Sequence, residues 1–295
     1  MWRLGLVLVV ALGGAAAAQG PGAQAPLPDR DGFLAAARER IASNQQLQSR
    51  YTYKERKADL RLNPFGRMGA GPVELYEVFP DPARGVSYRR LVARDGVPVP
   101  AADVARQDRE FLAGYEKWRT QMAREGADQA AARRAELERV RREEAETSRE
   151  VLALFTFELA GRDTLDGEPA IIVRFDPVRD PKPRSREAKV ASRFAGRAWV
   201  HETDHEMMRL EAEAIDDVSF GWGIIARLHK GARVVVTRRR VGAAWLPAVT
   251  TFEGTGRALL FRKVVFDYTH EYFDYEPFDP TDLPARLAAS APRNR

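Results

Sequence analysis

An α+β fold built on a largely antiparallel sheet is what this sequence predicts, and three patterns predict it. From Phe194 to Phe278, apolar and polar residues alternate, as in Ala198-Trp199-Val200-His201, Met208 to Glu213 and Arg233 to Arg240. Period-two alternation marks strands with one buried and one wet face. Turn signals such as Asp95-Gly96, Asp166-Gly167 and Lys230-Gly231 recur between the runs, at spacings that suit antiparallel neighbours. A stretch of helical spacing, Ala101 to Leu154, interrupts the strands.

The chain begins with Met1-Trp2-Arg3, an apolar run from Leu4 to Leu12, and Ala16-Ala17-Ala18. A short positive start, an apolar segment too short for a bilayer and small residues ahead of a cut form a secretory signal pattern. Cleavage is expected after Ala18, with Ala25 as the later option, and an uncleaved anchor as the alternative. Residues 19–28, rich in Gly, Ala and Pro, read as a flexible leader. A periplasmic protein follows from this pattern, and with no cysteine it has to fold without disulfides or a lipid-modified N-terminus. The 295 residues, 44% of them hydrophobic, suffice for one sizeable core, placed here at residues 29–280. The net charge of +5 permits attraction to anionic lipid or acidic polymers but spreads over many Arg set among Asp and Glu.

Asp29 or Asp31 can cap a helix whose apolar residues are Phe33, Leu34, Ala37 and Ile41. Strands are expected at Tyr51–Leu62, Val73–Phe79 and Val86–Ala93. Asp103 can then cap a helix with Val104, Phe111, Tyr115, Trp118 and Met122 along one seam. A second, highly charged helix runs from about Gln129 to Leu154, with Glu138–Arg142 and Arg139–Glu143 at i,i+4 spacing. This inserted hairpin, about residues 101–154, is either a solvated spacer or a lid, with Phe111, Tyr115, Trp118 and Met122 as the candidate lid residues. Beyond it lie a hairpin around Asp166-Gly167, the exposed loop Asp176–Ser185 and the alternating sheet. An excursion at Ile215–Gly223 and a hairpin of Ile224–His229 with Ala232–Arg240 fall within that sheet. The aromatics of Phe266–Phe278, most of them in the acidic stretch Thr269–Phe278, are expected to cover a sheet edge, with a docking surface as the alternative, and residues 281–295 form a tail, a short helix or disordered.

Register is fixed by the Thr203-Asp204 turn. With His201 opposite Met207, Val200 faces Met208 and Ala198 faces Leu210, so Ala198, Val200, Met208, Leu210 and Ala212 share the apolar face. Trp199, Arg209 and Glu211 fall on the other face. Adding Val234 and Val236 gives the expected hydrophobic ligand-binding face.

The order of a signal peptide, a helix at Asp31–Ile41, the Tyr51-Thr52-Tyr53 strand, Gly196-Arg197-Ala198-Trp199-Val200 turning at Thr203-Asp204 into Arg209-Leu210-Glu211, and Val241-Gly242 before Trp245-Leu246-Pro247 resembles the periplasmic lipoprotein carriers. These are the LolA/LolB-like outer-membrane lipoprotein-sorting proteins. The resemblance covers most of the mature chain except the 101–154 insert. It implies an open antiparallel half-barrel wrapped around helices, whose concave face holds a lipid, an acyl chain of a lipoprotein or another hydrophobic ligand, without catalysis. A relative that binds an envelope protein as sensor or scaffold through the same fold is the alternative.

Catalytic signals are weak. His201, Glu202, His205 and Glu206 suggest metal ligands, but His-x-x-x-His converges on a helix, whereas these straddle a turn and lack an evident third ligand. A metal-dependent hydrolase is therefore the least favoured reading, and no metal or other cofactor is expected. Arg238-Arg239-Arg240 could hold phosphates, but a strand sends them to alternate faces, and an exported protein rarely meets nucleic acid. A monomer is expected, with a membrane or an envelope protein as further partners.

Overall fold

The computed structural model describes residues 26–62, 68–220, 226–258 and 262–289. The expected signal peptide and most of the leader lie outside the described residues, as do 221–225 of the expected excursion. In chain order the elements are α1 (Arg30–Leu47), β1 (Tyr51–Leu62), β2 (Met68–Asp81), β3 (Val86–Arg94), β4 (Val97–Pro98), α2 (Ala101–Ala123) and α3 (Ala127–Ala153). They continue as β5 (Phe155–Leu165), β6 (Glu168–Pro177), α4 (Arg186–Ala191), β7 (Phe194–His201), β8 (Met207–Ala214), β9 (Val218–Phe220), β10 (Ala226–Leu228), β11 (Arg233–Val241), β12 (Ala244–Ala258), β13 (Arg262–Pro277) and α5 (Leu283–Ala289).

The strands form one antiparallel sheet in the order β4-β3-β2-β1-β13-β12-β11-β8-β7-β6-β5. It stays open between its two ends, an open half-barrel. Asp95-Gly96 and Asp166-Gly167 both take left-handed φ at both positions, the conformation that two-residue hairpins of a twisted sheet require. The helical insert leaves from β4 and returns at β5, so α2 and α3 link the two outermost strands of the sheet.

Inside the curl, α1 is capped by Asp29, whose carboxylate accepts from Gly32 N–H at 2.8 Å. It buries Phe33, Leu34 and Ala37 against Ile171, Val173 and Val200. At the other end, α5 buries Leu283 and Leu287 completely against Phe79, Tyr88 and Phe278. The described part of the expected tail is therefore a docked element. A short two-turn helix holds there because burying two leucines outweighs its weak intrinsic stability.

Three expectations change. Ile224–His229 was to pair with the strand after Lys230-Gly231, but β10 pairs with β9 and with the far part of β12, while β11 pairs with the near part. The two segments lie end to end beside β12, and Lys230-Gly231 is a jog between them. Thr269–Phe278 does not cover an edge either. It continues β13, an interior strand between β12 and β1. In β8, finally, Val200 pairs with Met207, while Trp199 still pairs with Arg209.

This last shift is a β-bulge that takes up Met208. The turn is longer than two residues: His201 N–H donates to Glu206 O at 2.8 Å, and His205, at φ +58°, donates to His201 O at 3.0 Å. Met207 thereby takes the concave side, and Met208 packs on the convex side with Ala170, Trp199 and Trp245. Convex polar chains form cross-strand ion pairs such as Arg197–Glu211 and Arg233–Glu213, and Arg209 lies over the Trp199 ring at 5.7 Å.

The same face offers a pH test. Trp199 Nε1–H donates to Asp163 Oδ2 at 2.8 Å, and Thr164 N–H to Oδ1 at 2.8 Å. The Trp199 hydrogen bond, and then the backbone one, hold this carboxyl below the usual Asp range. A depressed acid stabilises the fold above its unfolded pKa, and that contribution is lost as pH falls through the folded value. Trp199 emission is therefore expected to shift only below about pH 4, and Asp163→Asn to abolish that step. An unchanged acid step in the variant contradicts the assignment.

Candidate functional site: an apolar hollow on the concave face

Two cross-strand rows build the site. In an antiparallel sheet, residues directly opposite share a face. The first row runs Phe157, Phe175, Gly196, Ala212, Val234, Phe252, Tyr268 across seven strands. The second runs Leu159, Val173, Ala198, Leu210, Val236, Thr250, His270. Helix α1 lies over the β5–β7 part of the second row through Phe33, Leu34 and Ala37. Beyond Phe157, which packs beside α1, the first row stays open and, with Val173, Ala198 and Leu210 of the second, floors a hollow of about 720 Å³.

The walls come from elsewhere in the chain. Val151 and Leu152 in the last turn of α3, Val190 and Ala191 of α4, and Phe194 close one side; Leu228 and Arg227 stand at another. Glu150 fixes this corner by accepting from Arg184 N–H at 2.5 Å and Ser185 N–H at 3.3 Å. The Arg184 hydrogen bond is the main reason its carboxyl lies below the usual range. Ser185 in turn caps α4 through Ala188 N–H at 3.1 Å. Among the described lining residues only Arg227 and Tyr268 carry polar side-chain groups. A hollow of this size and lining is suited to an aliphatic guest.

Of the residues expected to face a ligand, Ala198, Leu210, Ala212 and Val234 line the hollow. Val236 pairs with Leu210 in the second row, outside the lining. Val200 is buried beneath α1, and the bulge carries Met208 to the opposite face, where it is 1% exposed.

None of Phe111, Tyr115, Trp118 and Met122 lines the hollow. Phe111 stacks on Tyr88 at 4.1 Å, and Arg84 lies over Phe111, Tyr115 and Trp118 at 4.6, 5.3 and 6.0 Å. The seam of α2 thus fastens to the β2–β3 end of the sheet. The insert reaches the hollow through the other helix, at Val151 and Leu152 in its last turn. Phe157, Phe175, Phe252 and Tyr268 are the principal lining residues the sequence reading passed over; their alternation within strands was the available signal.

Beyond His270 the concave face turns polar. Glu55, 2% exposed, is paired with Arg89 at 2.9 Å. Nearby, burial pushes the Tyr53 phenol up to about 12 and also raises Tyr272. The curl thus has a greasy half and a polar half.

The turn histidines diverge. His201, buried on the convex side, has Nδ1 accepting from Asp204 N–H at 2.9 Å and Nε2 3.2 Å from Glu168 Oε2. His205 lies against Phe33, the rings tilted with centroids 5.0 Å apart. Among the described residues no cluster of three His, Cys, Asp or Glu side chains is placed to hold a metal. The arginine triplet is likewise divided. Arg238 is half-buried, Arg239 donates to Tyr272 O at 2.8 Å, and Arg240 pairs with Asp204 and lies over Trp245.

No protein-family model matches the chain, and no curated protein matches it. Among solved structures it is similar to a putative outer membrane lipoprotein-sorting protein domain from Vibrio parahaemolyticus, at 7% identity over 88% of this chain and 99% of that one, with a TM-score of 0.33. A DUF1329 family protein from Desulfovibrio piger shows 9% identity over 88% and 98%, at 0.28. A LolA superfamily protein from Nitrosomonas europaea shows 9% over 84% and 93%, at 0.27. Lipoprotein-sorting and LolA superfamily proteins are those the sequence resembles.

Proposed function

We propose that the chain is a non-catalytic binding or carrier protein of the cell envelope that shelters the hydrocarbon part of a lipid or acylated ligand. The observation that carries this reading is the open part of the first row, Phe175 to Tyr268, flooring a hollow of about 720 Å³. Each methylene taken from water into such a lining contributes about 0.8 kcal/mol. Roughly fifteen of them contribute about 12 kcal/mol, which offsets an immobilisation cost of about 4 kcal/mol and leaves an affinity on the order of micromolar. The polar half of the curl and the Arg227 rim leave space for a head group outside the hollow. A periplasmic location belongs to the same proposal and rests on the N-terminal pattern; the mass of the mature chain in a periplasmic fraction tests it.

For the hollow itself the test is occlusion. Ala212 is half-buried in the centre of the floor, so Ala212→Trp places an indole where the guest would lie. Displacement of a fluorescent fatty acid is expected to weaken at least about tenfold. Val265→Trp, at a position 65% exposed on the convex side, is expected to leave it unchanged. Equal binding by both variants removes the hollow from consideration. Native mass spectrometry of protein taken from the envelope distinguishes the second reading: a stable protein partner with an empty hollow indicates a sensor or scaffold.

A further inference from the structure

We propose that the end of the sheet at β10, β12 and β13 docks on an anionic lipid surface through the row Arg227–Arg257–Lys263. Arg227 is directly opposite Arg257, and Arg257 directly opposite Lys263. All three are exposed. Like charges placed opposite one another destabilise a sheet; Arg174 is opposite Arg197 and Glu253 opposite Asp267, but those arginines, and Glu253 through Arg233, also have an opposite charge on a neighbouring strand. Arg174 meets Glu158, Arg197 meets Glu211, and Arg233 meets Glu213. Here the nearest carboxylate to Arg227 is Asp217 at 3.8 Å. No acid among the described residues pairs with Arg257 or Lys263. Among the described residues the repulsion between Arg257 and Lys263 is unrelieved, which is expected where a partner supplies the counter-charge.

The neighbouring rows favour a surface as that partner. Moving inward along β12 and β13, the next convex pair is Thr255 opposite Val265, which is 65% exposed. The pair after that is Glu253 opposite Asp267. At about 3.4 Å per residue these acids lie roughly 14 Å behind the cations, beyond the screening length of about 8 Å at physiological salt. The outermost charge is therefore positive, and three adjacent strands spread it in a line about 10 Å long. A flat array of anionic head groups meets such a line with all three cations at once, and Val265 adds an apolar contact beside it. Arg227 and Leu228 also line the hollow, so docking brings its mouth towards the lipid. That last link rests on the carrier reading; the docking does not.

Sedimentation with vesicles tests the proposal, using the full mature chain. Phosphatidylcholine vesicles with about a third phosphatidylglycerol are compared with phosphatidylcholine alone. The wild type is expected to bind the anionic vesicles and to release in high salt. Arg257→Glu with Lys263→Glu is expected to weaken that binding at least about tenfold, leaving fatty-acid binding in the hollow unchanged. Arg141→Glu with Arg142→Glu, exposed on α3, makes the same change in net charge and is expected to stay within about twofold. Should the reversed pair fail to fold, Arg257→Gln with Lys263→Gln carries the comparison, with an expected rise in Tm as repulsion is removed. Equal binding to neutral vesicles, or equal losses in the row and the α3 variants, overturns the proposal.

Discussion

Replacing Gly196 with alanine is expected to destabilise the protein by about 3 kcal/mol and to lower its Tm by roughly 6–12 °C. The reason is steric and local. A Cβ at this position would stand 1.9 Å from Glu211 O, 2.9 Å from Ala212 Cα and 2.8 Å from Phe175 Cζ. Two of these atoms are backbone of β8, the strand paired with this one, so the ladder itself has to move. Phe175→Leu in the same chain is expected to recover little, because it removes only the side-chain clash. Gly196 also leaves room for the tip of the Phe175 ring, which an added Cβ would meet at 2.8 Å, so fatty-acid binding is expected to weaken together with stability. A melting temperature within a degree of wild type would show that β7 and β8 adapt, and would falsify the rigid-floor account.

Gly196 also shows how much was legible beforehand. Its alternating neighbours announced strands with a buried side, and the pairing of Ala198 with Leu210 followed from the hydrophobic pattern. Four of the seven residues placed on a ligand face line the hollow for that reason. What alternation could not supply was the bulge. The turn closes one residue earlier than the pattern suggests, at Glu206, and the residue gained by β8 bulges at Met208, which puts Met207 in place of Met208 on the concave face; no periodicity in the sequence records that choice. Phe157 and Phe175 were equally regular in their strands, but their nearness to Ala212 depends on strand order, a long-range property absent from local pattern.

The helical insert was legible as helices and illegible as geometry. The Phe111–Met122 seam reads the same whether it covers a hollow or a distant strand. The deciding contacts are polar: Asp108 and Gln107 on α2, which a search for apolar seams passes over. Leu91 N–H donates to Gln107 Oε1 at 3.0 Å, and Gln107 Nε2–H donates to Leu91 O at 3.1 Å. This two-way clamp completes the backbone hydrogen bonding of β3 beside α2 and sets the helix at that edge.

Removing Asp108 is the second large effect. Asp108 is 5% exposed and accepts from Tyr88 Oη–H at 2.7 Å and from Arg90 Nη1–H at 3.1 Å. Burial raises the Tyr88 phenol, and the Asp108 carboxylate raises it further. Asp108→Ala leaves a buried hydroxyl without its acceptor and a buried guanidinium with Glu77 as its remaining carboxylate. Breaking a buried ion pair from one side costs about 3–5 kcal/mol; since Glu77 still holds Arg90, about 3 kcal/mol is expected here. The loss is local at first. Helix α2 is held to β3 mainly by this network, the Gln107 clamp and the Phe111–Tyr88 stack, so limited proteolysis is expected to cut within residues 101–126 before the sheet opens. Because the insert bridges the outer strands and its far end walls the hollow at Val151 and Leu152, release of a bound fatty acid is expected to quicken in the same variant. Arg38, which lies over Phe157 from α1, gives a comparison on the opposite wall: Arg38→Ala is expected to leave the proteolysis pattern unaltered. An Asp108→Ala protein that resists cleavage and unfolds at the wild-type denaturant concentration would mean that α2 is held chiefly by its aromatic seam, with the buried ion pair contributing little.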